Sequence, residues 1–68
     1  MVMMRTLTPR EIEILQLAAD GCSGPAIAER LVISPGTVKT HFENIYEKLG
    51  ASERAYAVAE ALRHGLIT

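Results

Sequence analysis

The sequence predicts an all-α domain of four helices, and three observations carry that expectation. Hydroxyl-then-proline pairs, Thr8-Pro9 and Ser34-Pro35, have the form of helix starts, and glycines at 21, 50 and 65 have the form of stops. No stretch alternates with period two for long enough to make a strand. The second and third elements are separated only by Val32-Ile33-Ser34, a link so short that the helices on either side must cross steeply, as in a helix-turn-helix unit.

The first helix opens at Thr8-Pro9-Arg10-Glu11, where a hydroxyl and a glutamate three residues on have the capping-box spacing. It runs to Asp20 and stops at Gly21. Ile12, Ile14, Leu15, Leu17, Ala18 and Ala19 cover more than half its circumference, so it is expected to be surrounded by the others. A short second helix spans Pro25–Leu31, with Ser23 as its N-cap and Ile27, Ala28 and Leu31 on one side. The apolar Val32 and Ile33 should pin the following turn to the core. The third helix runs from Ser34-Pro35 to Leu49 and is closed by Gly50. In the fourth, Ser52 is expected to cap Glu53–His64, with Gly65 as the stop. Residues 1–6 read as an N-terminal extension or linker stump, 7–68 as the domain, and 24–43 as its helix-turn-helix segment.

Composition narrows the function classes. The 68 residues are 49% hydrophobic and 22% charged, a globular balance in a chain with room for a single domain. A chain this short buries roughly 60% of its unfolded surface, so its core is thin. A lone cysteine, Cys22, forms no internal disulfide and no zinc site, and fits a reducing cytoplasm. Met1–Leu7 is no signal peptide, and no apolar run approaches the about 20 residues of a membrane span. No cofactor or metal motif is present. His41, His64 and Cys22 lack the companions that hydrolytic or metal catalysis needs, so the chain is not expected to be an enzyme. Seven basic against eight acidic residues argue against indiscriminate coating of polyanions but leave room for a few basic groups facing one way.

The third helix has two faces. At about 100° per residue, Val38, Phe42, Ile45 and Leu49 form a stripe that lies on a core. Opposite stand Gly36, Thr40, Glu43 and Glu47, flanked by Lys39 on one side and Thr37 and Asn44 on the other. A helix start with small polar residues fits the major groove. Thr37 and the first-turn N–H groups suit phosphate. Lys39 suits either guanine O6/N7 or phosphate, and Thr40 a thymine methyl or a base edge.

Leu7-Thr8-Pro9-Arg10-Glu11, Ile27-Ala28-Glu29-Arg30-Leu31, Ile33-Ser34, Thr37-Val38-Lys39-Thr40-His41, Asn44-Ile45, Lys48-Leu49-Gly50 and Ala57-Val58 together resemble the LuxR-type helix-turn-helix domain. That is the output domain of NarL/FixJ response regulators and of quorum-sensing regulators. The resemblance covers nearly the whole chain. It implies sequence-specific binding of double-stranded DNA by a cytoplasmic bacterial transcription regulator, with the third helix in the major groove. A receiver or ligand-binding domain would precede this one in a longer chain. The expected DNA-contacting set is Ser23, Ser34, Thr37, Lys39, Thr40, Glu43, Asn44 and Lys48. Two departures stand out. Glu43 occupies a place where relatives carry a basic or small polar residue, so it either repels phosphate or accepts from cytosine N4. Ser23-Gly24-Pro25-Ala26 replaces a polar residue followed by Asn, Lys and Glu, which removes a basic contact and a capping carboxylate.

Three side chains have more than one reading. His41 borders the apolar stripe and is expected to be packed. Lys48 serves either the dipole at the end of the third helix or a backbone phosphate. Arg54, in the first turn of the last helix, needs an anion; an internal pair with a carboxylate such as Glu11 is the preferred partner, a DNA phosphate the other. The last helix carries Ala55, Val58, Ala59, Ala61 and Leu62, an apolar strip suited to a weak two-fold homodimer on paired half-sites. The rival reading is a protein-interaction module of the same fold that does not bind DNA.

Overall fold

The computed structural model describes residues 7–68, so the expected linker stump at 1–6 lies outside the described residues. The helices are α1 Pro9–Ala19, α2 Gly24–Leu31, α3 Pro35–Leu49 and α4 Arg54–Arg63, with no strand among the described residues. Thr8 Oγ1 accepts from the Glu11 N–H at 3.1 Å while the Glu11 carboxylate accepts from the Thr8 N–H at 2.8 Å, which closes the capping box. Ser23 Oγ accepts from the Ala26 N–H at 3.2 Å, and Ser34 Oγ from the Thr37 N–H at 3.1 Å. Gly50 ends α3 in the left-handed region at φ 66°, a conformation that costs glycine nothing.

The fourth start differs from expectation. Glu53, not Ser52, is the N-cap of α4; it is extended at φ −151° and makes no side-chain cap hydrogen bond. Ser52 stands one residue too early for its short hydroxyl to reach the first-turn N–H groups. The helix then begins at Arg54 and ends at Arg63.

The turn between α2 and α3 also differs. Val32 caps α2 in the left-handed region, φ 56° and ψ 48°, and is 89% exposed, so it does not pin the turn to the core. Reversing the chain within so few residues requires one left-handed residue, and that conformation carries the Val32 side chain outward. Ile33 does the anchoring instead. It is half-buried against the core, and its N–H reaches Ala28 O at 3.0 Å.

The core is built chiefly from Ile14 and Leu15 of α1, Ile27 of α2, and Val38, Phe42, Ile45 and Leu49 of α3, closed by Ala57, Ala61 and Ile67. Each large side chain removed from water contributes about 1.5–3 kcal/mol before entropy is counted. Helices α1 and α3 pack against each other and against both remaining helices, whereas α2 and α4 do not meet. Behind α4 the chain folds back onto α1. Ile67 is buried there, and the Gln16 side-chain amide accepts from the Thr68 N–H at 3.0 Å and donates to its carbonyl at 3.5 Å.

Candidate nucleic-acid interface

Because Val38, Phe42, Ile45 and Leu49 take one face of α3 into the core, the opposite face is turned outward. Ser34, Thr37, Lys39, Thr40, Glu43 and Asn44 are all exposed on the first three turns of that helix or at its cap. They form one surface of short polar side chains with a single cation, Lys39, and a single acid, Glu43. The hydroxyls are already oriented. Ser34 Oγ and Thr37 Oγ1 lie 2.9 Å apart, and Thr40 Oγ1 donates to Gly36 O at 3.1 Å, which leaves the Thr40 methyl and oxygen lone pairs facing solvent.

The backbone donors of this end are scarcer than the sequence suggests. Pro35 has no N–H, and the Thr37 N–H is held by Ser34, so of the first three helical residues only Gly36 keeps an open N–H. Helix α2 repeats the pattern. Pro25 has none, the Ala26 N–H is held by Ser23, and Gly24 alone is open. Ser23, expected near DNA, is exposed but spends one acceptor site on its own helix.

Lys48 stands apart from the other expected contacts. Its ammonium donates to Glu11 Oε1 at 2.7 Å, and the two side chains are 20% and 5% exposed. This pair ties the end of α3 to the start of α1 and commits the Lys48 ammonium to a carboxylate of the fold, while its place in the last turn of α3 also suits the helix dipole. Burial pushes the Glu11 carboxyl up, but the Lys48 hydrogen bond and charge and the two Thr8 groups outweigh it, so the carboxyl sits below the ordinary glutamate range. Arg54 therefore does not pair with Glu11. Its guanidinium lies over the Phe42 ring, 4.7 Å from the centroid, in a cation–π contact, and it makes no ion pair among the described residues.

Arg54, absent from the expected contact set, lines a groove beside the outer face of α3. This groove of about 590 Å³, between α2 and α4 and over α3, is lined by Gly24, Pro25, Pro35, Val38, Lys39, Phe42, Glu43, Tyr46 and Arg54. The signal for Arg54 is its place just after the Gly50–Glu53 turn, which returns the chain along α3 towards the phenylalanine of the core stripe.

On α4 the expected apolar strip is reduced. Ala61 is wholly buried and Val58 is half-buried against the core, because a helix seated on both α1 and α3 turns that side inward. Ala55, Ala59 and Leu62 remain outside, joined by Tyr56; Leu62 and Tyr56 are both about half exposed.

The family described as bacterial regulatory proteins, luxR family, matches residues 5–61. The chain belongs to that family. Its four helices are the luxR-family DNA-binding domain of transcription regulators, a family not of enzymes. It is 56% identical over 61 residues to the probable transcriptional regulatory protein NarL of Mycobacterium tuberculosis, a match covering 90% of this chain and 28% of that protein. The chain thus spans little more than a quarter of that relative's length. The solved transcription factor GerE superposes with a TM-score of 0.87 at 43% identity, covering 94% of this chain and 97% of GerE. The response regulator ChrA of a heme-sensing two-component system superposes with a TM-score of 0.89 at 46% identity, covering 93% of this chain and 31% of ChrA. The matched domain is therefore nearly the whole of GerE but a minor part of the longer regulators.

Proposed function

We propose that this domain reads double-stranded DNA by inserting the N-terminal half of α3 into the major groove. The observation that carries the reading is the division of α3. Its apolar stripe is buried along the whole helix, while the outer face of its first half is short, polar and uncovered. Thr37 and Ser34 serve the phosphate at the groove edge, Lys39 and Thr40 the base edges, and Glu43 and Asn44 the next bases along the groove. Ser23 adds a hydroxyl at the start of α2. Glu43 favours a cytosine N4 amino group over any site where its carboxylate would face phosphate.

Two domains pair weakly through the exposed strip of α4, Ala55, Ala59 and Leu62, over two half-sites of an operator. The strip is small and adequate only for a contact that DNA holds together. In a longer chain a receiver or ligand-binding domain precedes the DNA-binding domain, in the cytoplasm. The experiment is a selection from random duplexes, followed by sedimentation on the enriched duplex. Two related half-sites occupied by two chains support the reading. An enriched single site holding one chain removes the dimer, and no enrichment removes sequence reading.

A further inference from the structure

We propose that Arg54 is a phosphate anchor, a positioning residue that takes the sugar–phosphate backbone of the DNA strand beside the α3 reading face. This rests on the proposed reading of DNA by α3 and adds a contact on the far side of the groove between α2 and α4. The groove has an apolar floor, Val38, Phe42 and Tyr46, and two basic groups at its rim, Lys39 and Arg54, against one acid, Glu43. An apolar floor under basic rims complements a deoxyribose and its phosphate. Lys39 belongs both to this rim and to the exposed face of α3, so the two form one continuous surface.

Four observations place the anchor on Arg54. Its charge lies in the first turn of α4, where the helix dipole opposes a cation and an anion would relieve it. The nearest expected internal anion, Glu11, is taken by Lys48 at 2.7 Å. The Phe42 ring holds the guanidinium at 4.7 Å, so little freedom remains to be lost on binding. Finally, the first turns of α2 and α3 keep only the Gly24 and Gly36 N–H groups open, so a side chain must supply what the backbone lacks. Across the groove, a Cβ built on Gly24 meets nothing within 4 Å, so a strand approaches there without obstruction.

Fluorescence anisotropy with the enriched duplex, over about 50–200 mM KCl, tests this on the whole chain. Arg54→Gln should weaken binding roughly tenfold at 0.1 M salt, the scale of one charge-assisted contact, and flatten the salt slope by about one. Base preference should be unchanged at every position. Arg54→Lys should keep the slope, because the charge stays. The unmodified chain gives an independent readout: the Arg54 Nε–H resonance should shift when the duplex is added. A purely structural Arg54 would lower affinity without changing the slope, and that result, or an unmoved Nε–H resonance, overturns the proposal. If Arg54→Gln does not fold, Arg54→Lys and the resonance decide. If Lys39→Ala weakens binding while Arg54→Gln does not, the anchor fails and the α3 reading stands. An unmodified chain that binds no duplex at any salt defeats both. Saturable binding of 2-naphthol in the groove, with an unmoved resonance on duplex addition, would assign the groove to an apolar small molecule instead.

Discussion

The two halves of α3 obey different rules. In the C-terminal half, Ile45 and Leu49 are buried and Lys48 is locked to Glu11 on α1. In the N-terminal half, only Val38 and Phe42 are buried, the outer side chains are uncovered, and the helix is entered through a strained, exposed valine. Both halves use the same apolar stripe, so the stripe alone does not tell them apart. What differs is the neighbour. The far end is bound to α1 by an ion pair, whereas the near end faces solvent beside a groove. Both ends are seated in the core, but only the near end leaves its outer face uncovered and free to carry chemistry.

Substitutions separate the halves, and the largest effect comes from the stripe they share. Val38→Asp places a carboxylate at a position 2% exposed, and the helical circular dichroism should collapse at neutral pH. A folded Val38→Asp chain would mean that the first half of α3 is not needed for the core.

Next in size is the lock. Lys48→Met leaves the Glu11 carboxylate buried without its cation and should cost about 3 kcal/mol by chemical denaturation, with the α3 surface otherwise intact. The same pair sets an acid limit. The carboxyl of Glu11 is held below its unfolded value, so its stabilisation is complete above the ordinary glutamate range and is lost as pH falls through the lower folded value. Denaturation between pH 7 and pH 3 should show that loss in the unmodified chain and a smaller one in Glu11→Gln. Parallel curves for the two would remove Glu11 from the acid response.

Lys39→Ala is the converse test. It should leave Tm unchanged, since Lys39 is exposed. In binding it should cost about 1–3 kcal/mol of discrimination at one base pair if the amine reads guanine, or about one unit of salt slope if it meets phosphate. No change in either takes Lys39 out of the interface.

The smallest expected effect has the opposite sign. Val32 is a β-branched residue at φ 56° whose side chain is 89% exposed, so replacing it forfeits little packing. Val32→Asn, which tolerates the left-handed region, should stabilise the domain by about 1 kcal/mol and raise Tm by about 4–8 °C. A lower Tm would show that the valine makes contacts worth more than its strain.

Much of this was legible in the sequence because it is local. Thr8, Ser23 and Ser34 cap within three residues of themselves, and the stripe of α3 follows from spacing alone. The misreadings share a different cause. Ser52 gave way to Glu53 because a cap is set by one residue's backbone angles. Val32 was expected inside because it is apolar, but chain reversal required a left-handed residue there. Arg54 does not reach Glu11 because Lys48 takes that carboxylate, and only the return of the chain along α3 decides which cation arrives there. Ala61 turned inward because α4 is seated on two helices instead of one. The outward face of α3 was readable from the wheel; the groove beside it was not, since it depends on the distance between two helices that never meet.

The lock at the end of α3 also measures a distance. A helix of 15 residues is about 22 Å long, and the Glu11–Lys48 pair fixes the start of α1 beside its last turn. Thr8 and Glu11, at the start of α1, therefore stand at the far end of this rod from Ser34. That separation exceeds two Debye lengths at physiological ionic strength. A charge gained or lost beside the Glu11–Lys48 pair is therefore screened before its field reaches the Ser34 end of the helix.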